Sequence, residues 1–178
     1  EHFVWESRSN SAFLPAETET WVGGKEGVDV GGLRVQGRLD RVDALPDGQA
    51  LFVIDYKSGK APRRESGVNV DPMLQLSLYW QALETERPGA CVVGAAYRGL
   101  KDQETTGWIL VGWEDKLGSW RDGCEVVSEE EVAIRLAAAR QAALAAVGEI
   151  RSGRIAPRAG RKCPEWCSLG AVCRLRRR

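Results

Sequence analysis

Gly37-Arg38-Leu39-Asp40-Arg41-Val42-Asp43, the turn Pro46-Asp47-Gly48 and the run Ala50-Leu51-Phe52-Val53-Ile54-Asp55-Tyr56-Lys57 decide how this chain folds. Residues 33–43 alternate apolar and polar side chains, the period of a strand with one buried face. Residues 50–57 are apolar without a break and then end in charge, as a central strand does where it leaves the core. The Pro-Asp-Gly turn joins the two as a hairpin. Asp55 and Lys57, two apart on a strand, leave the same face, and the hairpin folds Asp40 back toward Asp55. Two carboxylates held that close repel, which raises one pKa or calls for a cation between them. A hard divalent ion with oxygen ligands, such as Mg²⁺, meets that need. It would also polarise a phosphodiester and lower the pKa of a bound water, leaving Lys57 to orient that water or offset charge on phosphorus. The plainer alternative is a surface hairpin whose charges pair in solvent, Asp40 with Arg38 or Arg41 and Asp55 with Lys57.

Working outward, residues 17–22 (Glu-Thr-Glu-Thr-Trp-Val) read as a strand, with Pro15 breaking any helix before it. Downstream, Asp71-Pro72 is an N-cap followed by a first-turn proline, which predicts a helix to about Glu86. Gln75 and Tyr79 are four apart on that helix, so an amide and a phenol share a face that can reach the acidic pair, while Met73, Leu74, Leu76, Leu78 and Trp80 supply packing. Strands are predicted at 91–98 and 106–113, joined by Lys101-Asp102-Gln103-Glu104. Ser128-Glu129-Glu130-Glu131 is a capping box opening a helix to about Arg151, ended by Gly153. The order of elements is an α/β plan, a mixed central sheet flanked by helices.

The 178 residues suit one domain of ordinary size, and 43% hydrophobic with 28% charged residues is a globular composition. No apolar run reaches the roughly 18 residues of a membrane span, and the first residues lack signal-peptide order, so a cytoplasmic location is expected. The net charge of zero hides an asymmetry: residues 1–150 hold 16 Lys and Arg against 24 Asp and Glu, and residues 151–178 hold 9 against 1. The basic end is the natural anion-facing part. Three of the five cysteines, Cys163, Cys167 and Cys173, crowd into that end. An odd number at such close spacing in a cytosolic chain points to metal rather than a disulfide framework. Cys91 opens an apolar run and reads as a small buried side chain. Cys124 lies in the polar stretch Arg121-Asp122-Gly123-Cys124.

Gly37–Asp43, Asp55-Tyr56-Lys57-Ser58-Gly59 and Gln75-Leu76-Ser77-Leu78-Tyr79 resemble, in order and spacing, three successive motifs of the RecB/AddB-type branch of the PD-(D/E)XK nucleases. The likeness covers about residues 17–98 and again 157–175. It implies a restriction-endonuclease-like core over residues 1–156, followed by a basic cysteine-bearing tail over 157–178. It also implies a Mg²⁺- or Mn²⁺-dependent deoxyribonuclease of exonuclease character. Asp40 and Asp55 would be metal ligands, Lys57 the catalytic lysine, and Gln75 and Tyr79 active-site and DNA-proximal residues. The implied substrate is DNA, a single strand or a duplex end, handled beside a helicase domain or subunit in double-strand break repair, with no membrane involved. A stand-alone or CRISPR-associated nuclease of the same branch, or a catalytically silent DNA-binding scaffold, are the alternatives. Family members also hold a 4Fe-4S iron-sulfur cluster through one upstream cysteine and three C-terminal ones spaced C-x2-C-x5-C. Cys163, Cys167 and Cys173 are similar with one extra residue in the first gap, and the fourth ligand is not identified, Cys91 and Cys124 being weaker candidates. The family's histidine-bearing first motif is not assigned to His2. Glu19 is the acid best placed to support the metal pair.

Overall fold

The computed structural model describes residues 10–62 and 73–154. Its centre is the expected hairpin. Strand β4 (Gly37–Ala44) runs antiparallel to β5 (Ala50–Lys57), with Arg41 opposite Ile54 and Val42 opposite Val53. Gly48 closes the turn at φ +72, a left-handed conformation that favours glycine. Its N–H donates to the Leu45 carbonyl at 2.8 Å.

Strand β1 (Leu14–Val22) flanks β4, and β2 (Val28–Val30) pairs with β3 (Leu33–Val35) as a separate two-stranded ribbon. After β5 comes α1 (Leu74–Glu86), then β6 (Cys91–Gly99) and β7 (Thr105–Leu110). A four-residue helix α2 (Glu114–Leu117), a 3₁₀ turn (Gly118–Arg121), β8 (Cys124–Val127) and the long helix α3 (Glu129–Arg151) follow. The six-stranded sheet has the order β1-β4-β5-β6-β7-β8. It is mixed: β5 pairs parallel with β6 and β7 parallel with β8, and the other neighbours are antiparallel.

Strand alternation gives each face its own core. Leu51 and Val53 meet Val92, Ala95, Leu76, Trp80, Leu83, Val132 and Leu136 on the face covered by α1 and α3. Phe52 and Ile54 meet Val93, Ala96, Ile109, Leu117 and Trp120 on the other. Coverage on both sides explains why β5 is apolar without alternation. The two long helices are tied by Gln81, whose amide N–H donates to the Leu136 carbonyl at 3.1 Å while its oxygen accepts from Arg140 at 3.0 Å. Ser128 caps α3 as expected, its hydroxyl accepting from the Glu131 N–H at 3.1 Å. No helix among the described residues is long and apolar enough to cross a membrane.

Several sequence expectations need correction. The alternating run 33–43 is two strands, because Leu33–Val35 folds back on β2 across Gly31-Gly32, both at positive φ. β1 starts at Leu14 and includes Pro15, which an edge strand tolerates on its unpaired side. The strand expected over 106–113 stops at Leu110, where Gly112 at φ +89 turns the chain into the short helical segment. That segment and β8 carry no strong periodic signal and were not anticipated. Asp71-Pro72 lies outside the described residues, and Met73 takes the N-cap of α1 without a side-chain bond. Cys91 is exposed rather than buried, since it opens β6 at the sheet margin.

Candidate active site

β5 points Leu51, Val53, Asp55 and Lys57 toward α1, so the face that is core in the first half of the strand becomes charged in the second. Asp55 is only 4% exposed. Its Oδ2 lies 2.6 Å from Lys57 Nζ, a charge-assisted contact on an oxygen that is otherwise buried. Burial pushes the Asp55 carboxyl above the ordinary aspartate range against the downward pull of Lys57, and the Asp40 charge adds a smaller upward push. Carboxylate repulsion is the cause expected from sequence, but desolvation is the larger effect.

The β4–β5 ladder runs as far as Arg41 opposite Ile54, which leaves Asp40 as the residue next to Asp55's end of the strand. Asp40 Oδ2 accepts the Tyr56 N–H at 2.7 Å. Neither nearby arginine neutralises it. Arg38 pairs with Glu19 at 2.9 Å, and Arg41 turns to Asp43 at 2.8 Å and to the Tyr56 hydroxyl at 3.0 Å. Asp55 does pair with Lys57, as the surface-hairpin alternative has it, but on a buried carboxylate and not in solvent, and Asp40 pairs with neither arginine.

The helix closes the site as its spacing predicts. Lys57 Nζ donates to Gln75 Oε1 at 2.7 Å, Gln75 Nε2 donates to the Tyr79 hydroxyl at 3.1 Å, and that hydroxyl donates to the Arg38 carbonyl at 3.2 Å. Asp55, Lys57, Gln75 and Tyr79 thus form one polar chain from β5 through α1 back to β4. Lys57 also stands over the ring of Tyr97, which lies beside Asp55 on β6, at 4.6 Å from the centroid. Tyr56 and Tyr97 were missed from sequence. Tyr56 lies inside the Asp-Tyr-Lys run and acts through its backbone, and Tyr97 reads as one more aromatic in an apolar strand.

Two carboxylates on adjacent strand positions, one of them buried, are oxygen donors that fit a hard cation such as Mg²⁺ or Mn²⁺, which accepts few protein ligands and keeps several waters. Among the described residues no group of three or more His, Cys, Asp or Glu gathers. Glu19, although opposite Asp40 across β1 and β4, keeps its side chain 58% exposed on Arg38 and does not join the pair. A separate cleft of about 330 Å³, lined by Arg98, Thr105, Ser119 and Asp122 among others, includes none of these site residues.

Cys91 and Cys124 start strands at opposite ends of the sheet: Cys91 is opposite Ala50, and Cys124 is opposite Gly107, which faces Ala96. They do not come together. Burial raises both thiols, that of Cys124 up to about 12, so neither is poised as a thiolate ligand. Cys163, Cys167, Cys173 and His2 lie outside the described residues.

A model of the PD-(D/E)XK nuclease superfamily matches residues 1–174. The chain belongs to that superfamily. Over 100 residues this PD-(D/E)XK chain is 34% identical to an ATP-dependent helicase/deoxyribonuclease subunit of Limosilactobacillus fermentum. The match covers 54% of the PD-(D/E)XK chain and 8% of that larger protein's length.

Proposed function

We propose that this chain is the nuclease module of a RecB/AddB-type helicase-nuclease, a Mg²⁺- or Mn²⁺-dependent deoxyribonuclease that hydrolyses phosphodiesters in a single strand or at a duplex end during double-strand break repair. The observation that carries this reading is the buried Asp55 carboxylate held 2.6 Å from the Lys57 ammonium, with Asp40 next to it on the neighbouring strand. The likeness to a helicase/deoxyribonuclease subunit supports the choice of branch and of a helicase partner.

Asp40 and Asp55 would hold the cation, which when bound supplies Lewis acidity and a water of lowered pKa. Lys57, fixed between Asp55 and Gln75, offsets negative charge as it develops on the phosphate. Gln75 and Tyr79 keep Lys57 in register with β4 and present their outer edges to DNA. Residues 1–156 form the nuclease core, and Cys163, Cys167 and Cys173 in the tail over 157–178 would supply three of the four ligands of an iron-sulfur cluster, the fourth coming from a residue not identified.

The test is cleavage of labelled single-stranded and duplex DNA with Mg²⁺ or Mn²⁺, by this chain and by the protein as encoded in full. Cleavage is expected to require the metal and to vanish in Asp40→Asn and Asp55→Asn, with calorimetry reporting the lost ion. Lys57→Met should slow it by roughly 10²- to 10³-fold with little change in DNA affinity. The alternative is a silent DNA-binding scaffold. DNA binding without metal-dependent cleavage by the full protein would select it and overturn the nuclease.

A further inference from the structure

Among the described residues the ammonium of Lys57 lies against Asp55 Oδ2 at 2.6 Å, Gln75 Oε1 at 2.7 Å and the Tyr97 ring at 4.6 Å from its centroid. The first two belong to the motifs read from sequence. The third does not. Tyr97 is 1% exposed, and it lies on β6 directly opposite Asp55, so its ring sits under the Lys57 side chain as part of the core that α1 covers. An ammonium over an aromatic face is attracted by the ring quadrupole, more strongly where water is excluded.

We propose that Tyr97 is a positioning residue for Lys57, its ring fixing the ammonium where the phosphate will be. The inference rests on the nuclease reading above, because only that reading gives Lys57 a phosphate to meet. The physical need is specific. Asp55 cannot serve a cation and grip Lys57 equally tightly, since both draw on the same carboxylate. Gln75 and the Tyr97 ring do not compete for the cation, so they are the contacts that hold Lys57 when Asp55 is otherwise engaged. Gln75 supplies direction through one hydrogen bond. The ring supplies a floor beneath the ammonium, limiting the sway of a flexible four-carbon side chain that is itself 32% exposed.

The ring is what matters, so Tyr97→Phe and Tyr97→Leu separate this role from a filled core. Single-turnover cleavage in the full protein should fall roughly tenfold in Tyr97→Leu, with DNA affinity within about twofold of the parent, and return to within about threefold of the parent in Tyr97→Phe. In a Lys57→Met background Tyr97→Leu should cost nothing further, because there is no ammonium left to place. An equal loss in both backgrounds would make Tyr97 a packing residue only and overturn the proposal.

A spectroscopic readout needs neither cleavage nor a stable leucine variant. Protons beside the Lys57 ammonium should be shifted upfield by the ring current in the parent and in Tyr97→Phe. Lys116 lies over Trp113 at the same 4.6 Å and will also shift, so the Lys57 signal is assigned by its disappearance in Lys57→Arg. Unshifted Lys57 protons in the folded parent would sink the proposal even if cleavage is seen. Shifted protons in a protein that cuts no DNA would instead leave the Lys57–Tyr97 contact standing and remove the nuclease reading.

Discussion

Asp55 is one of the carboxyls that shape the pH behaviour of the metal-free protein, beside Glu84, which burial also raises, and Glu17, which Arg87 lowers. The Asp55 carboxyl is raised above the ordinary aspartate value chiefly by burial, so the folded state holds its proton to higher pH than the unfolded state does. Stability then falls as pH rises through the window from the ordinary aspartate value to the raised one, and is flat above it. Asp55→Asn should remove Asp55's share of that slope, leaving the share of Glu84, and at neutral pH without metal leave the protein at least as stable as the parent. Added Mg²⁺ or Mn²⁺ should stabilise the parent and not the variant. Urea unfolding of parent and variant from acid to neutral pH, with and without the ion, checks both statements, and a parent-minus-variant stability that rises with pH across this window would contradict them. Asp55, Lys57, Gln75 and Tyr79 were legible at this scale because spacing on one strand and one helix fixes which side chains share a face. Tyr97 was not, because its contact with Lys57 crosses from β6 to β5.

At the scale of elements, two glycines separate site geometry from stability. A Cβ at Gly37 of β4 would come within 2.7 Å of the Tyr79 ring, the end of a side chain that can swing away. Gly37→Ala should therefore change stability by less than about 1 kcal/mol but displace Tyr79 from the Arg38 carbonyl and slow cleavage by roughly ten- to a hundredfold. A Cβ at Gly107 of β7 would meet the Ala95 carbonyl oxygen at 2.2 Å, where backbone has to move. Gly107→Ala should destabilise by about 1–3 kcal/mol and leave the rate of the folded fraction unchanged. Thermal melts beside single-turnover rates distinguish the two. The elements themselves divided the same way. β5 and α3 were readable to the residue because a continuous apolar run and a capping box mark their ends. β2, α2 and β8 were not, since three- and four-residue elements are held by their neighbours rather than by a periodic pattern.

For the molecule as a whole, the charge asymmetry sets the acidic first 150 residues against a basic end carrying three cysteines. Cationic neighbours favour the thiolate that a metal requires. With the iron-sulfur cluster proposed above in place, protein prepared in full length without oxygen is expected to be brown, and Cys173→Ser to lose the colour and melt at lower temperature. Replacing Arg176, Arg177 and Arg178 should leave the colour and flatten the salt dependence of single-strand binding by up to about two units of slope. A colourless, iron-free protein would remove the cluster and leave a basic extension.

The sequence by itself determined the hairpin, the two long helices, the α/β plan and the side chains that face one another along a single element, because these depend on local period, turn chemistry and capping. Only the tertiary structure decided which charge answers which. It sent Arg41 to Asp43 and Tyr56 instead of Asp40, held Glu19 on Arg38, and set Cys91 and Cys124 at opposite ends of the sheet. It also made burial, more than repulsion, the cause of the raised Asp55 pKa. Desolvation and cross-strand partnership arise only when elements distant in sequence pack, and no spacing within one strand encodes them.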